Sequence, residues 1–181
     1  MPTTQVRSIE FMTSQITKIT LTDIPQVVAL VNSAYRGESS KQGWTSEENL
    51  LEGIRIDEEE LTGYYYRPEI TLLKYTNHDG EIVGFVYLEQ IKNRRLYLGM
   101  LTVKPTLQAA GIGRRLLTAG GELAIELGCE VVKITVITTR LELIDWYKRR
   151  GYKATGETMP LVTHTSHSKT PITLMVMEKT V

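Results

Sequence analysis

Hydrophobic and polar positions along the chain change period several times, and each change predicts an element. Ile16 to Thr20 alternates like a short strand. Ile24, Val27, Val28, Leu30 and Val31 then recur at helical spacing, predicting a helix to about Tyr35 capped by Thr22 or Asp23. Gly37 to Gly43 reads as a loop, and Thr45 or Ser46 as the cap of a second helix over Glu47 to about Ile56. The acidic run Asp57-Glu58-Glu59-Glu60 starts a further helical or irregular piece ending near Tyr66. Ile70 to Thr76 and Glu81 to Gln90 read as strands joined by Asn77-His78-Asp79-Gly80, whose Asp-Gly is a hairpin signal. Arg94 to Lys104 makes the next strand, through a second hairpin at Lys92-Asn93.

Pro105 stops that strand, and Gly111 and Gly113 follow, where main chain can approach a ligand with no Cβ in the way. Beyond Gly113 the period turns helical, with Leu116, Leu117, Gly120, Leu123, Ala124 and Leu127 on one face. The first amides of such a helix lack partners in the preceding turn and sit at the positive end of its dipole. The stretch therefore predicts an anion site, and Arg114 can add a bidentate contact. A P-loop would need Lys-Ser/Thr straight after its last glycine, where this chain has Arg114-Arg115. A dinucleotide fingerprint needs three glycines, which the lone Gly111-Ile112-Gly113 satisfies poorly.

A second segment has the same strand-to-helix character. Val131 to Ile137 is β-rich, and Thr139-Arg140-Leu141-Glu142 matches a capping box with Thr139 as cap, so a helix is expected from about Arg140. Leu143, Ile144 and Tyr147 share a face, Lys148, Arg149 and Arg150 suit the negative end of the dipole, and Gly151 suits the left-handed position after it. The order β-α-α-β-β-β-α-β-α-β-β describes an α/β chain with a largely antiparallel front half and one crossover, which disfavours a Rossmann sheet.

At 181 residues the chain suits one domain, taken as 16–181, with residues 1–15 polar, unpatterned and expected to be a disordered lead-in. Its 21 basic and 21 acidic side chains cancel, which argues against a nucleic-acid surface built on bulk charge. No stretch reads as a membrane span or signal peptide, and the single cysteine, Cys129, cannot form an internal disulfide, so a soluble cytoplasmic protein is the default expectation. Cys129, just before a buried strand, reads as a small core residue. His164 and His167, without nearby cysteines or paired carboxylates, make no convincing metal site.

The pattern Val103-x-Pro105-x-x-Gln108-x-x-Gly111-Ile112-Gly113-Arg114-x-Leu116-Leu117 resembles the acetyl-CoA pyrophosphate loop of the GNAT superfamily of N-acetyltransferases. Tyr147-Lys148-Arg149-Arg150-Gly151-Tyr152 resembles the Tyr-x-x-x-Gly-Phe/Tyr segment after that family's fifth strand, and the two motifs together cover roughly residues 96–157. The resemblance implies the GNAT fold, a mixed, mostly antiparallel sheet flanked by helices with splayed fourth and fifth strands. It further implies an acetyl-CoA-dependent N-acetyltransferase that acylates a primary amine of a small molecule or a peptide in a ternary complex. Acylation of a protein N-terminus or lysine, and a non-catalytic acyl-CoA sensor, stay open beside it.

On this resemblance, main-chain groups of Leu101, Thr102 and Val103 would pair with the pantetheine arm, and amides from Gln108, Ala109, Ala110, Gly111, Ile112, Gly113 and Arg114 would hold the pyrophosphate. Thr138 stands where the family often has asparagine on the pantetheine arm. Tyr147 would be the general acid, its phenol pKa of about 10 lying near that of a thiol at about 8.5. The family has no single base position; from its place at the end of the third strand Glu89 is the candidate base, with Tyr97 as an alternative and a solvent-facing strand carboxylate as the other reading of Glu89. Tyr35, Arg36 and Trp44 fall in the variable region that shapes the acceptor site, as a cation-π or apolar wall and a carboxylate partner. The acidic run from Asp57 to Glu60 reads as a solvated helix end rather than a polyamine attractor. Dimers are common in the family, so the resemblance admits a homodimer.

Overall fold

A computed structural model describes residues 15–35, 51–163, 166–168 and 170–181. Along the chain these form β1 (Ile16–Lys18), α1 (Ile24–Tyr35), β2 (Leu51–Gly53), α2 (Glu58–Tyr65), β3 (Ile70–Thr76), β4 (Ile82–Ile91), β5 (Arg95–Val103), α3 (Ile112–Glu126), β6 (Val131–Ile137), α4 (Leu141–Lys148), β7 (Lys153–Pro160), β8 (Ser166–Ser168) and β9 (Thr173–Thr180). Seven strands make one sheet in the order β1-β3-β4-β5-β6-β9-β7. Every neighbouring pair is antiparallel except β5 and β6, which are parallel and joined by the crossover helix α3. The fold is thus the expected α/β architecture of a mostly antiparallel sheet flanked by helices.

Strand β4 is the centre, with every residue from Ile82 to Leu88 buried, because helices cover both sheet faces. One face packs Leu116, Leu123, Ile144 and Tyr147 of α3 and α4 against Val86, Leu88, Leu98 and Ile134. The other packs Val27, Val31 and Leu61 of α1 and α2 against Leu72, Phe85 and Tyr87. Gly120 lets α3 lie directly on the sheet, since a Cβ there would come within 2.8 Å of Leu98 and 3.1 Å of Leu88.

Two features of β5 position the site. Its pairing with β6 covers only Arg95–Tyr97 against Val131–Lys133, after which the two strands run on unpaired to Val103 and Ile137, the splay expected of the main sheet's fourth and fifth strands. Its pairing with β4 slips between Phe85 and Tyr87, opposite Gly99 to Thr102, and Met100 takes a left-handed φ of 45°. This is a β-bulge, which bends the strand and re-aims the residues that follow.

Several local expectations are corrected. The first helix is capped by neither Thr22 nor Asp23 in that role: a 3-10 turn, Leu21–Asp23, precedes α1, and Thr20 N–H donates to Asp23 Oδ2 at 2.7 Å. The second helix predicted to run to Ile56 is replaced, within the described residues, by β2, which pairs with β8. Gly53 has φ 92°, and Asn32 holds the chain beyond it, its Oδ1 accepting from Arg55 N–H at 2.7 Å and its Nδ2 donating to Ile56 O at 2.9 Å. A helix cannot continue through that tether. The acidic run does start a helix, α2, whose cap Asp57 accepts from Glu60 N–H at 2.7 Å. Thr139 forms no capping box; Arg140 occupies the cap position, its N–H bonded to Ile137 O, and α4 starts at Leu141. Leu127 lies just beyond α3 and is 39% exposed. Residues 1–14, most of the expected lead-in, are outside the described residues, as are Arg36, Trp44 and His164.

Candidate active site

The loop ahead of α3 is built by main-chain geometry. Pro105 to Ala110 forms a 3-10 turn, Gly111 reverses it with a left-handed φ of 80°, and α3 begins at Ile112. Arg115 is the first residue of α3 whose amide is bonded to the preceding turn, to Gly111 O at 3.1 Å. The amides of Gly111, Ile112, Gly113 and Arg114 have no main-chain partner among the described residues. Four unbonded donors therefore converge at a helix N-terminus, a place where anions are stabilised. The two arginines separate: Arg115 donates to Tyr75 Oη at 2.7 Å, whereas Arg114 lines a cleft.

That cleft, of about 570 Å³, opens along the free edge of β5 and is walled by the loop and α4. Leu101, Val103, Gln108, Ala109, Gly111, Gly113 and Arg114 line it, so seven of the expected cofactor residues are brought together. A Cβ at Gly113 would lie 3.5 Å from Val103 and 3.8 Å from Trp146, ordinary contacts, so the protein's own packing does not require glycine there. Ile112 points into the core at 6% exposure and Thr102 at 1%, leaving only their main chain for a ligand. Ala110 is exposed and, like Thr138, does not line the cleft; the Thr138 N–H is held by Thr173 O at 3.0 Å. Two carbonyls at the end of β5 are in use, Leu101 O accepting from the Tyr35 hydroxyl and Val103 O from Gln108 Nε2 at 3.3 Å.

A second cavity, of about 720 Å³, lies on the α1/α2 side of the sheet. Tyr64, Tyr87 and Tyr97 form one wall, their rings edge-on at 5.1 Å and 6.2 Å. The Tyr64 hydroxyl donates to Glu60 Oε1 at 2.6 Å, and burial together with that carboxylate pushes the Tyr64 phenol up to about 12. The Tyr97 hydroxyl is within 3.1 Å of Thr135 Oγ1 on the diverging strand.

Tyr35, Leu101, Leu143 and Tyr147 line both cavities, so the two meet at these residues. Tyr147 is 7% exposed and makes edge-on contacts with Trp146 and Tyr152. Burial first, then the neighbouring Tyr35, Tyr152 and Tyr97, push its phenol well above 10, so it stays protonated at neutral pH. A buried, protonated phenol at the junction can donate a proton or hydrogen bond to either side.

Glu89 is not brought to this junction. Its Oε2 accepts from the Tyr87 hydroxyl at 2.7 Å and its Oε1 from Arg67 at 2.8 Å, so both oxygens are engaged, and it lines neither cavity. Glu60 is the carboxylate that lines the second cavity, and the sequence reading had set it aside as a solvated helix end. Tyr97, the alternative to Glu89, does line that cavity, whereas the sequence reading passed over Tyr64 and Tyr87, although a tyrosine inside a buried strand such as Tyr87, whose hydroxyl needs a partner, was a usable signal. Cys129 is buried and its thiol is pushed up by burial, which suits a core residue. No cluster of metal-binding side chains occurs, and no helix is long and apolar enough to cross a membrane, among the described residues.

Known proteins carry the same plan. The profile of the Acetyltransferase (GNAT) family matches residues 30–152, and the chain belongs to that family. It is similar to a ribosomal-protein-alanine N-acetyltransferase from Brucella melitensis, with 21% identity over 92% of this chain and 99% of that one and a TM-score of 0.69. It is likewise similar to the PaiA N-acetyltransferase from Thermoplasma acidophilum, solved in complex with coenzyme A, with 18% identity over 94% and 100% of the two chains and a TM-score of 0.67. At these identities the likeness establishes the fold. A thialysine N-epsilon-acetyltransferase from Bos taurus is 32% identical over 60 residues, 33% of this chain, which thus spans about a third of that relative's length (35%).

Proposed function

We propose that this chain is an N-acetyltransferase that moves the acetyl group of acetyl-CoA to a primary amine of a small molecule or a peptide, with both substrates bound at once. The observation that carries this reading is the meeting of two cavities at Tyr147 and Leu101, one of them lined by unbonded amides. The cleft's donors fit a diphosphate: of the four N–H groups without a main-chain partner at the helix N-terminus, those of Gly111, Gly113 and Arg114 belong to residues that line it, with the Arg114 side chain beside them. In this reading the loop from Gln108 to Arg114 holds the pyrophosphate and the unpaired edge of β5 lies along the pantetheine arm. The bulge at Met100 turns β5 main chain toward the thioester, so that an N–H near Leu101 to Val103 meets the negative charge that develops on its oxygen.

The amine enters from the second cavity, past Tyr35 and the tyrosine wall. It attacks the thioester carbonyl directly, and Tyr147 supplies the proton to the departing thiolate. Glu60, or water beside it, takes the proton the amine loses. No covalent acyl-enzyme is required. The test is release of free thiol from acetyl-CoA across a panel of amino acids, polyamines, aminoglycosides and short peptides. Release with one of these, with initial rates that intersect when both substrates are varied, supports the reading. Coenzyme A binding without release for any amine would replace it with a sensor module, and parallel lines would overturn direct transfer.

A further inference from the structure

The reaction as proposed leaves two cations on the α4 wall of the cleft, Arg149 and Arg150, without a role. Arg150, just past α4, is half-buried; its guanidinium carbon stands 3.7 Å from the centroid of the Trp146 ring and one N–H donates to Trp146 O at 2.9 Å. Its Nε is sealed from solvent and has no hydrogen-bond partner. Folding an always-charged guanidinium into such a place costs free energy that a helix-end contact alone does not offset.

Its neighbours add to that cost. Arg114 and Arg149 line the same cleft, and neither makes an ion pair among the described residues. Burial, then the charges of Arg149 and Arg114, push the Arg150 guanidinium below its ordinary value. Two carboxylates also line the cleft, Glu142 and Asp145, but both are exposed and Asp145 faces Lys148 at 4.0 Å. Trp146 lies 3.8 Å from the Cβ position of Gly113, so this cluster stands across the cleft from the unbonded amides.

A diphosphate diester brings two negative charges, which the free amides, the helix dipole and Arg114 suffice to meet. Arg149 and Arg150 are then left over, on the α4 wall. Coenzyme A carries one more phosphoryl group, the 3′-phosphomonoester of its ribose, worth about 1.5 to 2 further charges near neutrality. We propose that Arg150, held on the face of Trp146 and assisted by Arg149, is the binding site for that 3′-phosphate and makes the cleft selective for coenzyme A over its dephospho form. The inference rests on the reading that the cleft takes coenzyme A.

Calorimetric titration of the full chain with coenzyme A and with dephospho-coenzyme A tests it. The expected result is a preference of about tenfold or more for coenzyme A, lost in Arg150→Gln while affinity for dephospho-coenzyme A stays as in the unaltered protein. Equal affinity of the unaltered protein for the two ligands overturns the proposal, as does a variant that weakens both alike. Should Arg150→Gln fail to fold, the exposed Arg149→Gln decides: its preference must shrink severalfold, and an unchanged preference counts against the site. No binding of either ligand by the unaltered protein would instead remove the coenzyme A reading itself.

Discussion

The two cavities that meet at Tyr147 are assembled in opposite ways. Apart from Tyr35, the cleft ahead of α3 takes its lining from two short stretches, 101–114 and 142–150. The other cavity draws on α1, β2, α2, β4, β5, β6 and α4, and on residues from Met159 to Leu174. A site drawn mainly from two short stretches of chain is fixed largely by local conformation. One made of side chains from many elements exists only when the whole sheet is assembled.

The largest expected effect falls where the two regions touch. Tyr147→Phe should lower kcat by about a hundredfold or more, close to 3 kcal/mol in the barrier, while coenzyme A affinity stays the same. Steady-state kinetics beside a calorimetric titration check this, and an unchanged kcat would remove Tyr147 from the chemistry.

The next effect separates the regions by stability. Asp23, at the foot of α1, accepts from Lys74 Nζ of β3 at 2.7 Å, with both side chains under a fifth exposed. Burial pushes its carboxyl up, but the Lys74 ammonium and the Thr20 N–H and hydroxyl outweigh that and hold it below the usual carboxylate value. The stabilisation is thus complete above the unfolded carboxylate's pKa and is lost as pH falls through the lower folded value. Asp23→Asn should cost about 1 to 3 kcal/mol at pH 7, and the gap should close below about pH 4. Denaturant titrations from pH 3 to 7 measure it; a gap constant over that range would contradict the assignment.

A smaller effect probes the contiguous site alone. Gly113→Val places methyl groups in the cleft beside Val103 and Trp146, where space exists, so the melting temperature should move by only a few degrees. Coenzyme A should bind about tenfold more weakly, near 1.4 kcal/mol, and unaltered affinity would show that the ligand does not pass that residue. Smaller again is the contrast between two carboxylates. Glu60→Gln should raise KM for the amine severalfold, and Glu89→Gln, whose oxygens face Arg67 and Tyr87, should change it by less. The reverse order would return the base role to Glu89. Last comes an effect expected to be absent: with its phenol pushed well above 10, Tyr147 should give kcat no descending limb between pH 7 and about 9.5.

What the sequence disclosed follows the same division. The turn from Pro105 through Gly113 and the strands β3, β4, β5 and β6 were legible because proline, glycine and hydrophobic period act on their own neighbourhood. Residues 51–56 were misread because β2 is made by β8, far along the chain, and by the tether from Asn32. The pattern from Thr139 to Glu142 looked like a capping box, but the turn closed by Arg140 N–H on Ile137 O moved the helix start past it. The bulge that aims Leu101 was not foreseen, since nothing local says that Met100 would take the left-handed turn. Arg150 read as a cation for a helix end; only the packing of Trp146 against Gly113 sets it beside the cleft.

The account's central claim is that the amides from Gly111 to Arg114 are left unbonded by the protein in order to hold the diphosphate of coenzyme A. Amide chemical shifts of the isotope-labelled chain, followed as coenzyme A is added, report on those nitrogens one by one. The account predicts that the largest saturating shifts fall on Gly111, Ile112, Gly113 and Arg114. Binding that leaves these four signals in place, or no binding at all, would contradict it.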